Sequence, residues 1–417
     1  MNTPGTERTT MRISDVSAHT LSSPIDPPQE RHFLGGTRRL LKRDVVLVVV
    51  ETADGAVGYA PAGASSSAMR EYFDDASHSD FAGLLEHEVA PQVLGEEIET
   101  ADDLHALVAE ADLPAFLESQ AVAPLDVAFY DLLGKERGAP VYDLLAEGGD
   151  VTTELPLYAS AGMYMEPEGY AEQAKAIQDR GFGGYKYRPG LGVEADLRTL
   201  RLIREAVGPG MDVMIDAHTW WKLREHSYGF EAVVDLVNRM AEYDPYWLEE
   251  PVEPADYDAY RRLADAVDVP LAGGESEETP DGLIALAETG AVSFLQGDVR
   301  HHRGFTGCWE AVQYCLGRDV TFVPHQFGTN LGLVANAHLT AAAPGSELLE
   351  YPVFGTDTAG MYPFPLAEEI LVENPTIADG TLTVPDGPGL GVEVDTDVVD
   401  RYPHIDGPWT EFHYEEA

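Results

Sequence analysis

Five ionisable residues recur along the chain at similar intervals: Asp216, Glu249, Glu275, Asp298 and His325 are separated by 33, 26, 23 and 27 residues. Each interval is the length of one strand-plus-helix unit, so a parallel barrel would deliver all five to one rim. Three carboxylates converging there, Asp216, Glu249 and Glu275, would repel one another and raise their own pKa values unless a cation sat among them. A hard divalent ion such as Mg²⁺ suits carboxylate oxygens completed by water and substrate oxygens. The plain alternative, solvated acids in an acid-rich chain, does not explain three in register. Glu250 follows Glu249 directly. Neighbours on a strand face opposite sides, and the 26-residue step to Glu275 favours Glu249 as the ligand.

His325 and Asp298 fall on consecutive strand ends, where the carboxylate can hold and polarise the imidazole as a general base. His218 lies two residues beyond Asp216 and so points to the same side, in position to act as a general acid. Lys186 and Arg188 together, and Glu350, are the polar residues at two further strand ends.

The elements that must position these groups are legible in outline. From "LPLYAS" to "ELLEYP", strand and helix signals alternate in eight steps at βα spacing, which predicts a closed parallel barrel over residues 151–365. Residues 1–150 read as an α+β capping domain: a strand over Met11 to Leu21, a hairpin turning at Asp54-Gly55, and helical spacing from about Ser66 to Leu145. "SPIDPPQERHFLGGTRRLLKR" between the two strand signals reads as a long mobile loop. Residues 366–417 are turn-rich and are expected to return to the cap.

Composition limits the partners. The chain has 417 residues, 73 acidic against 26 basic, for a formal charge of −47. That sign disfavours nucleic acid and anionic membranes, and its spread along the chain points to adaptation to high salt. Cys308 and Cys315 are seven apart in a predicted helix, roughly 10 Å along its axis, too far for a bridge. They read as buried thiols of a reducing cytoplasm. No apolar run reaches the ~18 residues of a membrane span.

Taken together, "YKYRPG", "MIDAH", "WLEEPVEP", "AGGE", "GDVRHHRGFTG", "VPHQ" and "LLEYP" resemble the enolase superfamily in its mandelate racemase-like branch. The resemblance implies a modified TIM barrel of (β/α)7β type, capped by an N-terminal α+β domain that the C-terminal segment completes. It also implies Mg²⁺-assisted removal of a proton α to a carboxylate through an enediolate, a mode general to these sites. By position, Asp216, Glu249 and Glu275 match the metal ligands, and His325 with Asp298 the base dyad. Glu350 matches the acid that hydrogen-bonds the enediolate, and Lys186 the first lysine of a K-x-K pair.

Where many racemases of the branch place a second lysine as base, this sequence has Arg188, and a guanidinium does not lose its proton. It is expected to bind substrate, leaving one evident base. The Asp-x-His pattern of Asp216 and His218 resembles that of sugar-acid dehydratases, which implies loss of water from an aldonate to give a 2-keto-3-deoxy acid. A racemase or epimerase, or a catalytically silent sugar-acid-binding barrel, are the alternatives. Substrate contacts are expected from Arg188, from Arg38 in the cap, and from His301, although His301 and His302 also suit a solvated loop. The whole reads as a cytoplasmic homo-oligomeric enzyme of carbohydrate catabolism.

Overall fold

The computed structural model describes residues 10–63, 67–73, 77–222, 226–355 and 361–415; residue 66, at the expected start of the helical stretch, lies outside them. The cap is built on β1 (Met11–Phe33), β2 (Gly36–Thr52) and β3 (Val57–Ala62), with β4 (Glu97–Ile98) on the far edge of β1. The expected turn around Asp54-Gly55 joins β2 to β3. The expected mobile loop, by contrast, is ordered hairpin. β1 and β2 stay paired to the tip, from His32 opposite Thr37 to Phe33 opposite Gly36, with irregularities between Ile13 and Asp15 and between Pro24 and Gln29. Local Pro and Gly content signalled a loop, whereas pairing to a third strand supplies the hydrogen bonds that hold it extended.

That third strand is β15 (Thr410–Tyr414), which runs antiparallel to Leu40–Gly36 of β2. The C-terminal segment therefore returns to the cap. On the way it forms a small hairpin, β13 (Ile377–Ala378) and β14 (Thr381–Thr383), whose second strand pairs with the first barrel strand.

Behind the cap sheet lies the helix Ala115–Arg137, buried along most of its length. Its apolar residues, Val122, Leu125, Ala128 and Leu132 among them, pack into the continuous core. Two buried acids on it are fully used as fasteners. Asp131 accepts from the backbone N–H groups of Tyr59 and Leu390 at 3.1 and 2.9 Å, and pairs with Lys135. Asp126 meets His105 at 2.9 Å and the Thr306 backbone N–H at 3.1 Å. One cap helix is thereby fixed to the cap sheet, the barrel and the C-terminal segment, with each buried carboxylate satisfied as burial demands.

The barrel strands are β5 (Glu154–Met163), β6 (Gly184–Arg188), β7 (Asp212–Asp216), β8 (Trp247–Glu249), β9 (Leu271–Gly273), β10 (Phe294–Leu295), β11 (Thr321–Phe322) and β12 (Leu349–Pro352). They pair in parallel in the order β12-β5-β6-β7-β8-β9-β10-β11, and from β5 to β12 each strand is joined to the next in sequence through at least one helix. The expected closure is not completed by hydrogen bonds, since no β11–β12 pairing occurs among the described residues. Tyr158, Met214, Trp247, Ala272 and Val323 fill the interior below the site as a separate buried cluster. Among the described residues no helix is long and apolar enough to cross a membrane.

Candidate active site

The strand ends bring the five spaced residues and their neighbours to one rim. Register alone does part of this, because Asp216 on β7 stands level with Glu249 on β8, and Glu249 with Ala272 on β9. Glu275 follows two residues after β9 ends, and Asp298 three after β10.

His325 is held from both sides. Its Nδ1 lies 2.9 Å from Asp298 Oδ2, and its Nε2 lies 2.7 Å from Glu275 Oε2. Burial alone would lower the His325 pKa, but Glu275 and Asp298 outweigh it and raise it well above the ordinary value. Asp298 is itself held ionised: against the cost of burial, Arg300 and His325 keep its carboxyl well below the usual range. Arg300 donates to it from its backbone N–H at 2.9 Å and from its guanidinium, and Asn336 Nδ2 adds a bond at 3.3 Å. Sequence reading passed over Arg300, although its D-x-R spacing from Asp298 was visible.

On the opposite side, just beyond β7 and four strands round from β11, stands His218. Its Nδ1 is 2.7 Å from Asp216 Oδ1 and 3.4 Å from Glu275 Oε1. Burial, reinforced by the Arg188 charge, lowers the His218 pKa to about 4. The third and seventh strands of an eight-strand array face each other, so both imidazoles approach Glu275 from opposite flanks. Arg188 is spent on Asp216, with Nε at 3.0 Å and Nη2 at 2.5 Å, and holds that carboxyl well below its usual range despite burial. Lys186 sits between two acids, 2.7 Å from Glu249 Oε1 and 2.8 Å from Glu350 Oε1. The second oxygen of Glu249 accepts from Trp247 Nε1 and Gln296 Nε2, and that of Glu350 from the Gln326 backbone N–H.

Glu250 was expected to face away from Glu249. It does not follow the strand alternation, because its backbone turns to a φ of 45°, in the left-handed region. Its carboxylate instead accepts from Ser276 N and Oγ at 2.9 and 2.6 Å. Burial and the neighbouring Glu275 push it up to about 7. Lys222, also unforeseen, lies 4.6 Å over the Trp221 ring and feels both Glu250 and Glu275; no spacing rule pointed to it.

The donor set fits a divalent cation. Asp216, Glu249, Glu250, Glu275, Asp298 and Glu350 are six buried or nearly buried carboxylates, interleaved with the basic side chains Lys186, Arg188, Lys222, Arg300 and His325. A cluster of carboxylate oxygens of this kind is the donor type a hard divalent ion takes. One atom each from His218, Glu250 and Glu275 lie within 4.8 Å of one another. That trio shares Glu275 with the set read from the sequence. Asp216, which lines the cavity, and Glu249, level with it on the next strand, have oxygens engaged by Arg188 and Lys186.

The cap and loop residues separate. His302, suggested to be solvated, is fully buried, with Nδ1 accepting from Asp298 N at 3.0 Å and Nε2 at 2.8 Å from Glu277 O. It braces the loop. His301 is half-buried beside Gly63 of the cap, its backbone carbonyl held by Ser119 Oγ at 3.1 Å. Arg38 lies on β2, buried against the C-terminal strand.

This geometry, a capped parallel barrel with opposed imidazoles over clustered carboxylates, defines the class. Residues 169–398 match the enolase C-terminal domain-like family, and residues 32–146 match the mandelate racemase/muconate lactonizing enzyme N-terminal domain. The chain belongs to the enolase superfamily. It is 29% identical over 403 residues to D-galactarolactone cycloisomerase of Agrobacterium fabrum, covering 94% of this chain and 99% of that one. It is 27% identical over 366 residues to arabinonate dehydratase of Saccharolobus solfataricus, covering 86% and 90%. The crystal structure of 3,6-anhydro-D-galactonate cycloisomerase from Zobellia galactanivorans superposes with a TM-score of 0.78 at 26% identity, over 94% of this chain and 99% of that chain.

Proposed function

We propose that the protein is a Mg²⁺-dependent dehydratase of sugar acids, with aldonates such as gluconate, xylonate, arabinonate and galactonate as the first substrates to try. The observation that carries this reading is the pair of imidazoles facing each other across Glu275, one on the Asp298 carboxylate and one on Asp216. A base and an acid on opposite sides are what elimination of water requires.

Asp298 fixes the proton on His325 Nδ1, so Nε2 is the atom that takes the α-proton once Glu275 is engaged elsewhere. Glu275, with Asp216, Glu249, Glu250 or His218, would hold a divalent cation, which would supply neutralisation of the charge that develops on the substrate carboxylate. Lys186 adds a fixed positive charge at the same end, and Glu350 holds Lys186 there. His218, lowered to about 4 by burial and the Arg188 charge, would take up a proton as the anionic substrate arrives and deliver it to the departing β-hydroxyl. Arg188 keeps Asp216 ionised and cannot act as a second base. Relatives named as arabinonate, rhamnonate and galactonate dehydratases support the same reading.

The test is a panel of acid sugars with Mg²⁺ in molar salt, followed for keto-acid formation and for deuterium entry at the α-carbon. His325→Asn is expected to abolish exchange; His218→Asn is expected to stop water loss while exchange continues. Exchange without water loss in the unaltered enzyme would replace dehydration by a reaction that keeps the substrate's mass, such as epimerisation. A second reading, cycloisomerisation of a sugar lactone, is favoured by the relative from Agrobacterium fabrum; its product keeps the mass of its substrate, whereas dehydration removes one water.

A further inference from the structure

The cap hairpin is fastened over the mouth of the barrel. At its tip, Leu34 N–H donates to Gly190 O at 2.8 Å, just beyond the end of β6, and the Phe33 ring lies 5.8 Å from that of Tyr164 at the end of β5. Four cations stand on β2 behind this tip. Arg39 pairs with Glu411 at 3.3 Å, and Lys42 with Asp44 at 3.0 Å.

Arg38 and Arg43 have no such partner. Among the described residues neither has a carboxylate in ion-pair range, in a chain with 73 acids. Arg38 is 8% exposed; its Nε donates to Thr410 Oγ1 at 3.0 Å, and its guanidinium lies 4.7 Å over Trp409 and 5.3 Å over Phe412. Arg43 lies 5.4 Å over the same Trp409 and 5.6 Å over Phe327. Phe327 also lines the catalytic cavity together with Lys186, Arg188 and Asp216, and Arg38 is close enough to Arg188 to feel its charge.

Aromatic faces soften the burial of a guanidinium but do not replace a counter-charge. Two such groups held rigidly by one tryptophan, beside the reaction cavity, form a ready receptor for a planar or tetrahedral oxyanion.

We infer that Arg38 and Arg43 receive a second anionic group, carboxylate or phosphate, at the end of the substrate remote from the reacting carbon. The preferred substrates are then dianionic acid sugars, with a charged group in place of the neutral terminus of a simple aldonate. This inference rests on the sugar-acid dehydratase reading and narrows its substrate class.

The experiment compares hexonates, the hexarates of matching configuration and the 6-phosphohexonates, each with Mg²⁺ in molar potassium chloride. Water loss and α-deuterium exchange are both recorded. At least one dianion is expected to exceed its matched hexonate in kcat/KM by about 10- to 100-fold, the range of a charge-assisted hydrogen-bond pair, and the better arm identifies carboxylate or phosphate. Arg38→Gln and Arg43→Gln are expected to collapse that ratio, and Arg43→Lys to restore part of it. The comparison in the unaltered enzyme stands even if a variant fails to fold. Hexonates equal to or better than both dianions would overturn the inference and leave the dehydratase reading intact. No exchange and no water loss with any compound would overturn the dehydratase reading, and the inference with it.

Discussion

Replacing Asp298 by Asn tests the base assignment most sharply, because the carboxylate is surrounded by donors on both oxygens. Oδ2 takes His325 Nδ1 and the Arg300 guanidinium; Oδ1 takes the Arg300 backbone N–H at 2.9 Å and Asn336 Nδ2 at 3.3 Å. An Asn must turn its NH₂ towards one of these groups. With NH₂ at the Oδ1 position, two donors oppose it. With NH₂ at the Oδ2 position, His325 Nδ1 must become an acceptor, which moves the ring proton to Nε2 and removes the lone pair that takes the α-proton. In either pose, buried Arg300 loses the counter-charge of Asp298, at a cost of about 3–5 kcal/mol in stability. Loss of a positioned base costs about 10²–10⁴ in rate. The assay is deuterium exchange at the α-carbon of whichever acid sugar turns over, alongside thermal unfolding. A variant that unfolds earlier yet exchanges within about threefold of the original rate would refute the tautomer argument.

Three other outcomes are expected. Glu275→Gln, at the position common to both candidate donor sets, should weaken Mg²⁺ binding about 10- to 100-fold by calorimetry; Glu249→Gln and Glu250→Gln then identify the third acid, and unchanged affinity in Glu275→Gln would remove the site. His338 accepts from Tyr142 N–H on Nδ1 and donates from Nε2 to Leu390 O, and burial lowers its pKa to about 4. The unfolded chain therefore takes the proton first, so this stability is complete above pH ~6.5 and is lost towards pH ~4, about 3 kcal/mol in all; His338→Gln should flatten that slope in pH-dependent unfolding, and an unchanged slope would contradict it. Because a charge of −47 is screened over ~10 Å at 0.1 M salt and ~3 Å at 1 M, the unfolding temperature should rise by several degrees between those concentrations, and a fall or no change would remove the high-salt reading.

The sequence by itself determined which residues reach the rim. Spacing of 23 to 33 residues between Asp216, Glu249, Glu275, Asp298 and His325 is a one-dimensional property, since each βα unit consumes a nearly fixed length of chain. The pairing of His325 with Asp298 follows from the same count. What neighbours do at the rim was not legible. Glu250 turns inward through a left-handed φ that no strand rule contains, and Arg188 and Lys186 engage acids carried on other strands. The cap hairpin shows the limit most clearly. Its Pro- and Gly-rich residues argue locally for a loop, and only the arrival of β15 from the far end of the chain makes them a strand pair and sets Trp409 under Arg38 and Arg43. Periodicity fixes positions along one dimension, whereas contacts between segments some 370 residues apart depend on how the closed structure pays for burying charge and backbone, and that is decided only in three dimensions.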